Sequence, residues 1–349
     1  MLAVTIEAMA VKPANATGAV APDIADSADA VRAGLEAAGY LPSDTIALVS
    51  FLAMRLGKPV LVEGPAGVGK TELAKALSRY TGRELIRLQC YEGLDEAKAL
   101  YEWEYSKQLL YSQILKERFT EVMADARTLR EAADRVGKED SVFFSERFIV
   151  PRPLMRAITN EEPTLLLIDE VDKSDPEFEA FLLEVLSDFQ VTVPEVGTIV
   201  ARQRPLVFLT SNDAREMSDA LKRRCLHLYI DFPDAALELQ ILEAKVPGID
   251  RRLMEDVVRL MQKLRELDLK KAPSISETLD WARALLVLNA QQLDEGLVRD
   301  TINVILKYEG DIRKAQGELA KLLGRKDEPR PAAAAGGAPP APAKKGVLH

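Results

Sequence analysis

Histidine and cysteine are scarce in this 349-residue chain, which contains two of each. The histidines are His227 and His349, and so few imidazoles disfavour both a histidine-based metal site and a Ser-His-Asp triad. The cysteines, Cys90 and Cys225, lie far apart and lack the spacing of metal ligands. Their number disfavours a disulfide framework and favours a reducing cytoplasm.

The chain also lacks a basic excess and a long apolar run, and its first residues are not predicted to form a secretory leader. Its formal net charge is −9 and its pI is about 5.1, which disfavours a general nucleic-acid binder. The most apolar long window, residues 46–62, is interrupted by Arg55, Lys58 and Pro59 and is too short and too charged to span a bilayer. No basic segment precedes an apolar stretch at its start, so we expect a cytoplasmic protein without a membrane span.

Composition and periodicity divide the chain into four segments. Residues 1–40 are rich in small residues and are predicted to be flexible and partly helical, with a helix over residues 25–38. Residues 41–233 are predicted to form an α/β domain, and residues 234–324 a small helical domain. Residues 325–349 read RKDEPRPAAAAGGAPPAPAKKGVLH, a Pro/Ala-rich tail with too little apolar surface to fold.

Short apolar strands alternate with helices in the second segment, which predicts a doubly wound parallel sheet with helices on both faces. The predicted strands cover residues 59–63, 84–89, 164–168, 205–210 and 226–232. The predicted helices between them cover residues 43–57, 69–80 and 176–188. Beyond Pro233, helical spacing recurs over residues 235–245, 250–267, 274–291 and 294–308.

Residues 93–150 interrupt this alternation and form an insertion. Within it, residues 103–135 are a long amphipathic stretch in which Leu109, Leu110 and Ile114 belong to an apolar stripe at helical spacing. Two interpretations are open: an additional helix packed on the core, or an arm that binds a partner.

A phosphate-binding loop is predicted between the first strand and the helix that follows it. The segment GPAGVGKT fits the pattern G-x-x-x-x-G-K-[ST] at every fixed position, between a strand and an amphipathic helix. Its members are Gly64, Pro65, Ala66, Gly67, Val68, Gly69, Lys70 and Thr71. Glycines let main-chain N–H groups point at phosphate oxygens, and the helix start adds a positive dipole end. We expect Lys70 to reach the β and γ phosphates of ATP and Thr71 to ligate Mg²⁺, the alternative being a glycine turn without a ligand.

Two carboxylates follow the buried run LLLI. Parallel strands present ligand-binding residues at their carboxyl ends, where Asp169 and Glu170 stand. Asp169 suits Mg²⁺, held through its water shell, and Glu170 suits the attacking water. An acidic pair of this kind favours hydrolysis over transfer to a metabolite. The alternative is that the two acids only cap the next turn.

Two further polar elements come later in the chain. Asn212 follows the strand PLVFLT and could hydrogen-bond the water and the γ-phosphate, or could simply end the strand in a turn. Lys222, Arg223 and Arg224 precede the last strand. Either arginine could stabilise phosphoryl transfer in a neighbouring subunit, or the three residues could be a solvated basic cluster.

The motifs GPAGVGKT, LLLIDE, TSN and KRRC, followed by a helical domain, resemble the AAA+ superfamily and, within it, the MoxR group related to the dynein-like branch. The resemblance covers about residues 40–310. It implies a P-loop NTPase sheet with a small all-helical lid domain, a β-hairpin over residues 191–205, and a helix-2 insertion after Cys90. It makes Asn212 the sensor 1 residue and Arg224 the arginine finger, with Arg223 as the alternate.

One departure from this family concerns the lid. The sensor 2 arginine usually stands near the start of the third lid helix, where this chain has Ser276. Arg283 lies two turns later, so either Arg283 substitutes for it or the role is absent.

The resemblance further implies an ATPase that assembles into a ring, usually a hexamer, and acts as a chaperone that remodels or matures a client metalloenzyme, often with a von Willebrand factor A-domain (VWA) partner. Three alternatives are kept open. They are a P-loop kinase, a nucleotide-gated assembly module with little turnover, and a DNA-remodelling protein, which the acidic charge disfavours.

Overall fold

The computed structural model describes residues 25–111, 113, 148–193 and 197–323. The remainder of the predicted insertion, most of the N-terminal segment and the Pro/Ala-rich tail lie outside the described residues. The described chain divides into two units. The first comprises residues up to Pro247 together with Ser274–Glu277, and the second comprises Gly248–Pro273 and the residues from Thr278 onward.

Five parallel strands form the central sheet of the first unit: β1 (Val60–Glu63), β2 (Glu84–Gln89), β5 (Thr164–Asp169), β8 (Leu206–Ser211) and β9 (Leu226–Tyr229). Their order in the sheet is β2-β5-β8-β1-β9. Every residue of β5 and β8 is buried. The continuous apolar runs of these strands therefore lie at the centre of the sheet, as expected for strands covered on both faces.

Alternate residues of the central strands pack into two different cores, because successive side chains of a strand point to opposite faces. Leu166 and Ile168 of β5 belong to one core, and Leu165 and Leu167 belong to the other. The helices of the second core are α1 (Ala28–Ala37), α2 (Asp44–Leu56) and α3 (Lys70–Thr81), and those of the first are α4 (Glu96–Leu100), α5 (Pro153–Thr159), α6 (Pro176–Asp188) and α7 (Asp219–Arg224). The predicted parallel sheet with helices on both faces is confirmed.

Local signals set the start and end of several helices. The Ser43 side chain accepts a hydrogen bond from the Ile46 N–H at 3.3 Å, which caps the amino end of α2. Gly57 ends α2 in the left-handed conformation, where a residue without a Cβ is favoured. Helix α8 (Ala235–Lys245) belongs to the first of the two units.

The two ends of the insertion pair with each other. Strands β3 (Tyr101–Trp103) and β4 (Ile149–Pro151) are antiparallel, with Trp103 opposite Ile149. Residues 105–111 are helical, and Leu109 and Leu110 on them are 61% and 54% exposed. The rest of the predicted apolar stripe, including Ile114, lies outside the described residues, so both interpretations of this stretch stay predictions.

A second antiparallel pair, β6 (Gln190–Val193) and β7 (Gly197–Val200), lies in the segment predicted to form a hairpin. The residues between the two strands are outside the described ranges. Along the chain, the pair follows α6 directly and precedes β8. It therefore comes after the strand that ends in Asp169 and before the strand that precedes Asn212.

The second unit is helical. Its helices are α9 (Arg251–Glu266), α11 (Glu295–Ile305), α12 (Glu309–Leu322) and most of α10 (Ile275–Val287), which begins in the first unit. The fully buried Trp281 donates its indole N–H to the Thr301 hydroxyl at 2.8 Å, which joins α10 to α11. The predicted helical region at the carboxyl side of the sheet domain is thus confirmed. Within the described ranges, no helix is both long and apolar enough to cross a membrane.

Candidate nucleotide-binding site

The predicted phosphate loop lies at the carboxyl end of β1 and needs its glycines. Gly64, Gly67 and Gly69 have φ values of 146°, 78° and 99°, which L-residues rarely adopt. A Cβ at Gly64 would lie 2.0 Å from the carbonyl oxygen of Ile230, so no side chain fits there. Gly69 is the N-cap of α3, and its left-handed backbone turns the loop into the helix. The segment therefore combines a glycine turn with a helix start, the setting that binds phosphate.

A short segment of the chain from beyond residue 273 lies against this loop. A Cβ at Gly67 would lie 2.2 Å from Oγ of Ser274, and the Ser276 hydroxyl is 3.4 Å from the Gly67 carbonyl oxygen. Ser276 stands where a sensor 2 arginine was expected, and it contacts the loop with an uncharged side chain. The alternative cation, Arg283, forms an ion pair with Asp280 at 3.1 Å.

Lys70 is buried within the loop. Its ammonium group donates to the carbonyl oxygens of Gly64 and Pro65, both at 2.7 Å, and to Oδ1 of Asn212 at 2.9 Å. Burial lowers the pKa of Lys70, and the nearby charges of Asp172, Asp169 and Glu170 oppose that shift. The cation is held at the loop by two main-chain carbonyls and one side-chain amide. Ala66 is exposed at the tip of the loop, and Val68 packs into the core beneath it.

Asp169 is the most enclosed acid of the site, with an exposed fraction of 1%. Its carboxylate accepts from the Thr71 hydroxyl at 2.9 Å and from the Thr210 hydroxyl at 2.5 Å. Arg87 of β2 also donates to it, through Nε at 3.0 Å and Nη2 at 2.5 Å. The predicted pair of Thr71 and Asp169 is therefore brought together, although 98 residues separate the two in the chain.

The donor set of this pair fits magnesium better than a metal that prefers nitrogen or sulfur ligands. In the described part of the chain no three His, Cys, Asp or Glu side chains come together as a metal site. A hydroxyl oxygen and one carboxylate match the way Mg²⁺ is bound with the phosphates of a nucleotide, because that ion keeps several waters and uses few protein ligands. Thr71 and Asp169 could hold such an ion.

Glu170 stands directly after β5 in the left-handed conformation, with φ 57° and ψ 49°. A non-glycine residue in that region costs about 1–3 kcal/mol and commonly marks a functional position. Its carboxylate accepts from Gln89 Nε2 at 2.7 Å, from Lys173 Nζ at 2.6 Å and from Asn212 Nδ2 at 3.3 Å. The hydrogen bond to Glu170 raises the pKa of Lys173. Three donors therefore fix the direction of this carboxylate.

Asn212 connects the two halves of the site. Its Oδ1 accepts from Lys70 and its Nδ2 donates to Glu170. The main-chain N–H groups of Asn212 and Ala214 both donate to Oδ2 of Asp172 at 3.0 Å, and Asp172 is 4% exposed. This buried carboxylate holds the turn that presents the Asn212 amide between the lysine and the second acid.

Arg223 and Arg224 do not join this cluster. They end α7 and precede β9, which runs parallel to β1 with Leu226 opposite Val60. The phosphate loop follows the carboxyl end of β1. The length of β9, three residue steps or about 10 Å, therefore separates the two arginines from the loop. Both arginines are exposed at the amino ends of the parallel strands, where Arg224 donates to the Ser187 hydroxyl at 2.6 Å.

The sequence assigned no role to several residues of the cluster. Arg87 and Gln89 alternate with buried residues on β2, and their side chains reach β5 because Gln89 lies opposite Asp169 in the sheet. Thr210 and Asp172 lie next to residues that were predicted, yet their role depends on which strands are neighbours. The strand order of the sheet was the missing information, since β2 is next to β5 although 74 residues of chain lie between residues 89 and 164.

Residues 59–225 match the family model described as the AAA domain of the dynein-related subfamily. That segment contains Lys70, Asp169, Glu170 and Asn212 of the cluster described above.

Curated relatives of the chain include an uncharacterized protein of Staphylococcus aureus (strain NCTC 8325), 26% identical over 240 residues, which cover 67% of this chain and 77% of that protein. The gas vesicle ATPase GvpN of Haloferax mediterranei is 28% identical over 220 residues, covering 60% of this chain and 57% of that protein. Among solved structures, the RuvB Holliday junction branch migration motor of Thermotoga maritima aligns with a TM-score of 0.43 and 17% identity, over 79% of this chain and 74% of that chain. A structural match at that level supports no conclusion about activity.

Proposed function

We propose that this protein binds ATP with Mg²⁺ and hydrolyses it to ADP and phosphate, as an AAA+ ATPase of the MoxR type that works in a ring. The observation that carries the proposal is the link from Lys70 through Asn212 to Glu170, at 2.9 Å and 3.3 Å, beside the Thr71–Asp169 pair. Such a cluster places a phosphate-binding cation, a metal-binding pair and a base at one edge of a sheet.

The chain's own residues have separate tasks in this reaction. Lys70 and the N–H groups that follow Gly64 hold the β and γ phosphates, and α3 directs its positive end at them. Thr71 and Asp169 would hold Mg²⁺, which when bound neutralises the charge of the phosphate oxygens. Asn212 is suited to orient both the γ-phosphate and the attacking water, because its amide faces Lys70 with an acceptor and Glu170 with a donor.

Glu170 is the candidate general base. Its carboxylate takes a proton from water while the water oxygen bonds to the γ-phosphorus, and the bond from that phosphorus to the β-γ bridging oxygen breaks to leave ADP. The hydrogen bonds from Gln89 and Lys173 hold the carboxylate near the strand end. A kinase transfers phosphate to a bound acceptor instead of water, so a fixed acid in this position favours hydrolysis over the kinase alternative.

Assembly into a ring is proposed from the position of the two arginines. Arg223 and Arg224 lie at the amino ends of the parallel strands, whereas the phosphate loop of their own chain follows the carboxyl end of β1. A guanidinium there can act on a γ-phosphate only if it belongs to a neighbouring subunit, and a repeated head-to-tail contact of this kind forms a ring when the rotation between subunits closes. A hexamer is proposed from the resemblance to the AAA+ superfamily.

The client role rests on the resemblance to MoxR proteins. We propose a chaperone that remodels or matures a metalloenzyme, with a VWA-domain protein as partner, in the cytoplasm. The exposed Leu109 and Leu110 support a partner-binding arm at the start of the insertion. The negative net charge supports a protein client over nucleic acid. The name of the Haloferax relative, a gas vesicle ATPase, supports the ATPase part of the proposal.

The test is the Glu170→Gln variant of the full chain. We expect ATP binding close to that of the wild type and hydrolysis slower by about 10²–10⁴, the usual worth of a general base. Labelled nucleotide measures binding, and phosphate release without any acceptor measures turnover. The matched control is Glu177→Gln, an exposed acid on α6, which should behave as wild type.

Three outcomes distinguish the alternatives. Unchanged hydrolysis in Glu170→Gln would contradict the role of that residue. No phosphate release by the wild type at any protein concentration would favour a kinase. Ring formation with ATP but negligible turnover, even with a partner present, would favour the nucleotide-gated assembly module.

A further inference from the structure

Arg87 makes two contacts to the acid of the proposed metal pair. It donates Nε at 3.0 Å and Nη2 at 2.5 Å, both to Oδ2 of Asp169. The same oxygen is 3.2 Å from the Thr71 hydroxyl. The guanidinium of Arg87 therefore donates to a carboxylate oxygen of Asp169 that also lies near the Thr71 hydroxyl, and both Thr71 and Asp169 are candidate magnesium ligands.

The two members of this ion pair differ in exposure. The Arg87 side chain is 47% exposed, whereas that of Asp169 is 2% exposed. Asp169 cannot turn away, because hydroxyls of Thr71 and Thr210 hold its other oxygen. Arg87 reaches inward from the surface on a long flexible stem, so it is the member of the pair that can move.

Arg87 also has a second acceptor within reach. Its Nη2 donates to Oε1 of Gln89 at 2.5 Å, on the same face of β2. Gln89 in turn donates to Glu170 at 2.7 Å. If the guanidinium left Asp169, it would keep a partner on its own strand, and the change would reach the hydrogen-bonded neighbour of the candidate base.

A guanidinium and a divalent cation repel each other and compete for the same carboxylate. We infer that Arg87 is a positioning residue that acts as a displaceable counter-ion of Asp169, giving way when magnesium and nucleotide bind and thereby lowering the affinity for magnesium. This inference rests on the proposed function, and it assigns a regulatory residue to the same site.

The alternative role for Arg87 is to support magnesium binding, and it predicts the opposite change in magnesium affinity. If Arg87 instead holds Asp169 in the orientation that the metal needs, its loss would weaken magnesium binding. The sign of the change in magnesium affinity therefore separates competition from support, and a purely structural ion pair would leave that affinity unchanged.

The experiment measures labelled ADP binding by the full chain, in excess Mg²⁺ and in EDTA, for the wild type, Arg87→Gln and Arg87→Lys. The quantity compared is the ratio of the dissociation constant in EDTA to that in Mg²⁺. We expect Arg87→Gln to raise this ratio about three- to tenfold, the range of a charge-assisted pair that is partly exposed. Lysine keeps the charge but lacks the fork that contacts Asp169 and Gln89 together, so Arg87→Lys should raise the ratio less.

The matched control is Arg156→Gln, which removes an arginine of similar exposure from its pair with Glu84 at the other end of β2. It should leave the ratio at the wild-type value. A second measurement is the increase in unfolding temperature on adding Mg²⁺ with ADP, relative to ADP with EDTA, which should be larger for Arg87→Gln than for wild type. This measurement reports the metal's contribution even if the variant is less stable.

The outcomes separate two failures. An unchanged or smaller ratio in Arg87→Gln, with normal binding by the wild type, overturns the role of Arg87 alone. Should Arg87→Gln not fold, an unchanged ratio in Arg87→Lys overturns it equally. Absence of saturable ADP binding by the wild type overturns the proposed function and this inference together.

Discussion

The ammonium group of Lys70 lies 2.9 Å from Oδ1 of Asn212, a residue 142 positions later in the chain. The first belongs to the loop after β1 and the second follows β8, and these strands are neighbours in the sheet with Glu63 opposite Ser211. The contact places the amide between the phosphate-binding cation and Glu170, whose carboxylate accepts from the same side chain.

Replacing Lys70 by Ala should weaken ATP binding by about 10–100-fold, because charge-assisted hydrogen bonds to phosphate contribute roughly 1.5–3 kcal/mol. Titration with labelled ATP in Mg²⁺ measures the effect. Lys75→Ala on the same helix is the control, since the Lys75 side chain is 43% exposed and pairs only loosely with Glu72 at 3.9 Å. Equal affinity in the two variants would contradict the assignment of Lys70.

Asn212→Ala should reduce turnover about 10–100-fold while changing ATP binding less than threefold, because removing one positioned hydrogen-bond donor costs roughly 1–3 kcal/mol in the transition state. Steady-state phosphate release and nucleotide titration give the two values. Asn160→Ala removes a half-buried asparagine that donates to Glu84 and serves as control. A loss confined to binding would assign Asn212 to the phosphate site only.

The Arg224→Ala variant should hydrolyse ATP at least about 10³-fold more slowly than wild type with unchanged nucleotide affinity, as expected for an arginine acting from a neighbour. Co-assembly with Glu170→Gln subunits should restore part of the activity. At equal amounts about a quarter of the interfaces would then combine an intact Glu170 with an intact Arg224.

The same co-assembly with Arg223→Ala identifies which arginine acts. Restoration by one arginine variant and normal activity of the other names the finger. If neither single variant loses activity, the two arginines are a solvated basic cluster and the ring proposal loses its structural support.

Gly64→Ala should destabilise the protein by about 2 kcal/mol or more, because the new Cβ would meet the Ile230 carbonyl oxygen in a strained backbone conformation. Urea denaturation measures the change. Gly317→Ala on α12 is the contrasting variant, since a Cβ there meets nothing within 4 Å and alanine favours a helix by about 0.5–1 kcal/mol. If both variants lose stability equally, the close approach at Gly64 is not what constrains the loop.

The central strands and the long helices could be predicted because their signals are local. The run LLLI is apolar at every position, and the structure buries it completely within β5. The strand 84–89 and the helices 176–188 and 235–245 have the same bounds in sequence and structure. The phosphate loop was equally accessible, since glycine positions and a lysine-threonine pair specify its backbone without any knowledge of the rest of the fold.

The short elements could not be predicted in the same way. Helices α4, α5 and α7 have between five and seven residues, too few for a periodic signal, and packing against the sheet stabilises them. The β3–β4 pair joins residues on either side of a long insertion. Its existence depends on that long-range pairing, which three-residue strands do not show in their own composition.

The candidate site divides along the same line. Residues inside motifs were found, whereas Arg87, Gln89 and Lys173 were missed because nothing local marks them. Arg87 is 82 residues from Asp169. Its alternation with buried residues on β2 was visible, but its partner depended on β2 and β5 being adjacent. Knowledge of the strand order would have directed attention to the polar positions of β2.

Ser274 and Ser276 touch the phosphate loop, yet the segments on both sides of Ser274–Glu277 belong to the second unit. The polypeptide thus passes from one unit to the other three times, and neither unit is a single continuous stretch. A protein cut short after Pro247 would retain every motif residue but lose the serine that abuts Gly67. If such a shortened form binds nucleotide poorly, the reason would be the loss of the serines that contact the phosphate loop. The nucleotide affinity of the site should therefore be measured on the full chain.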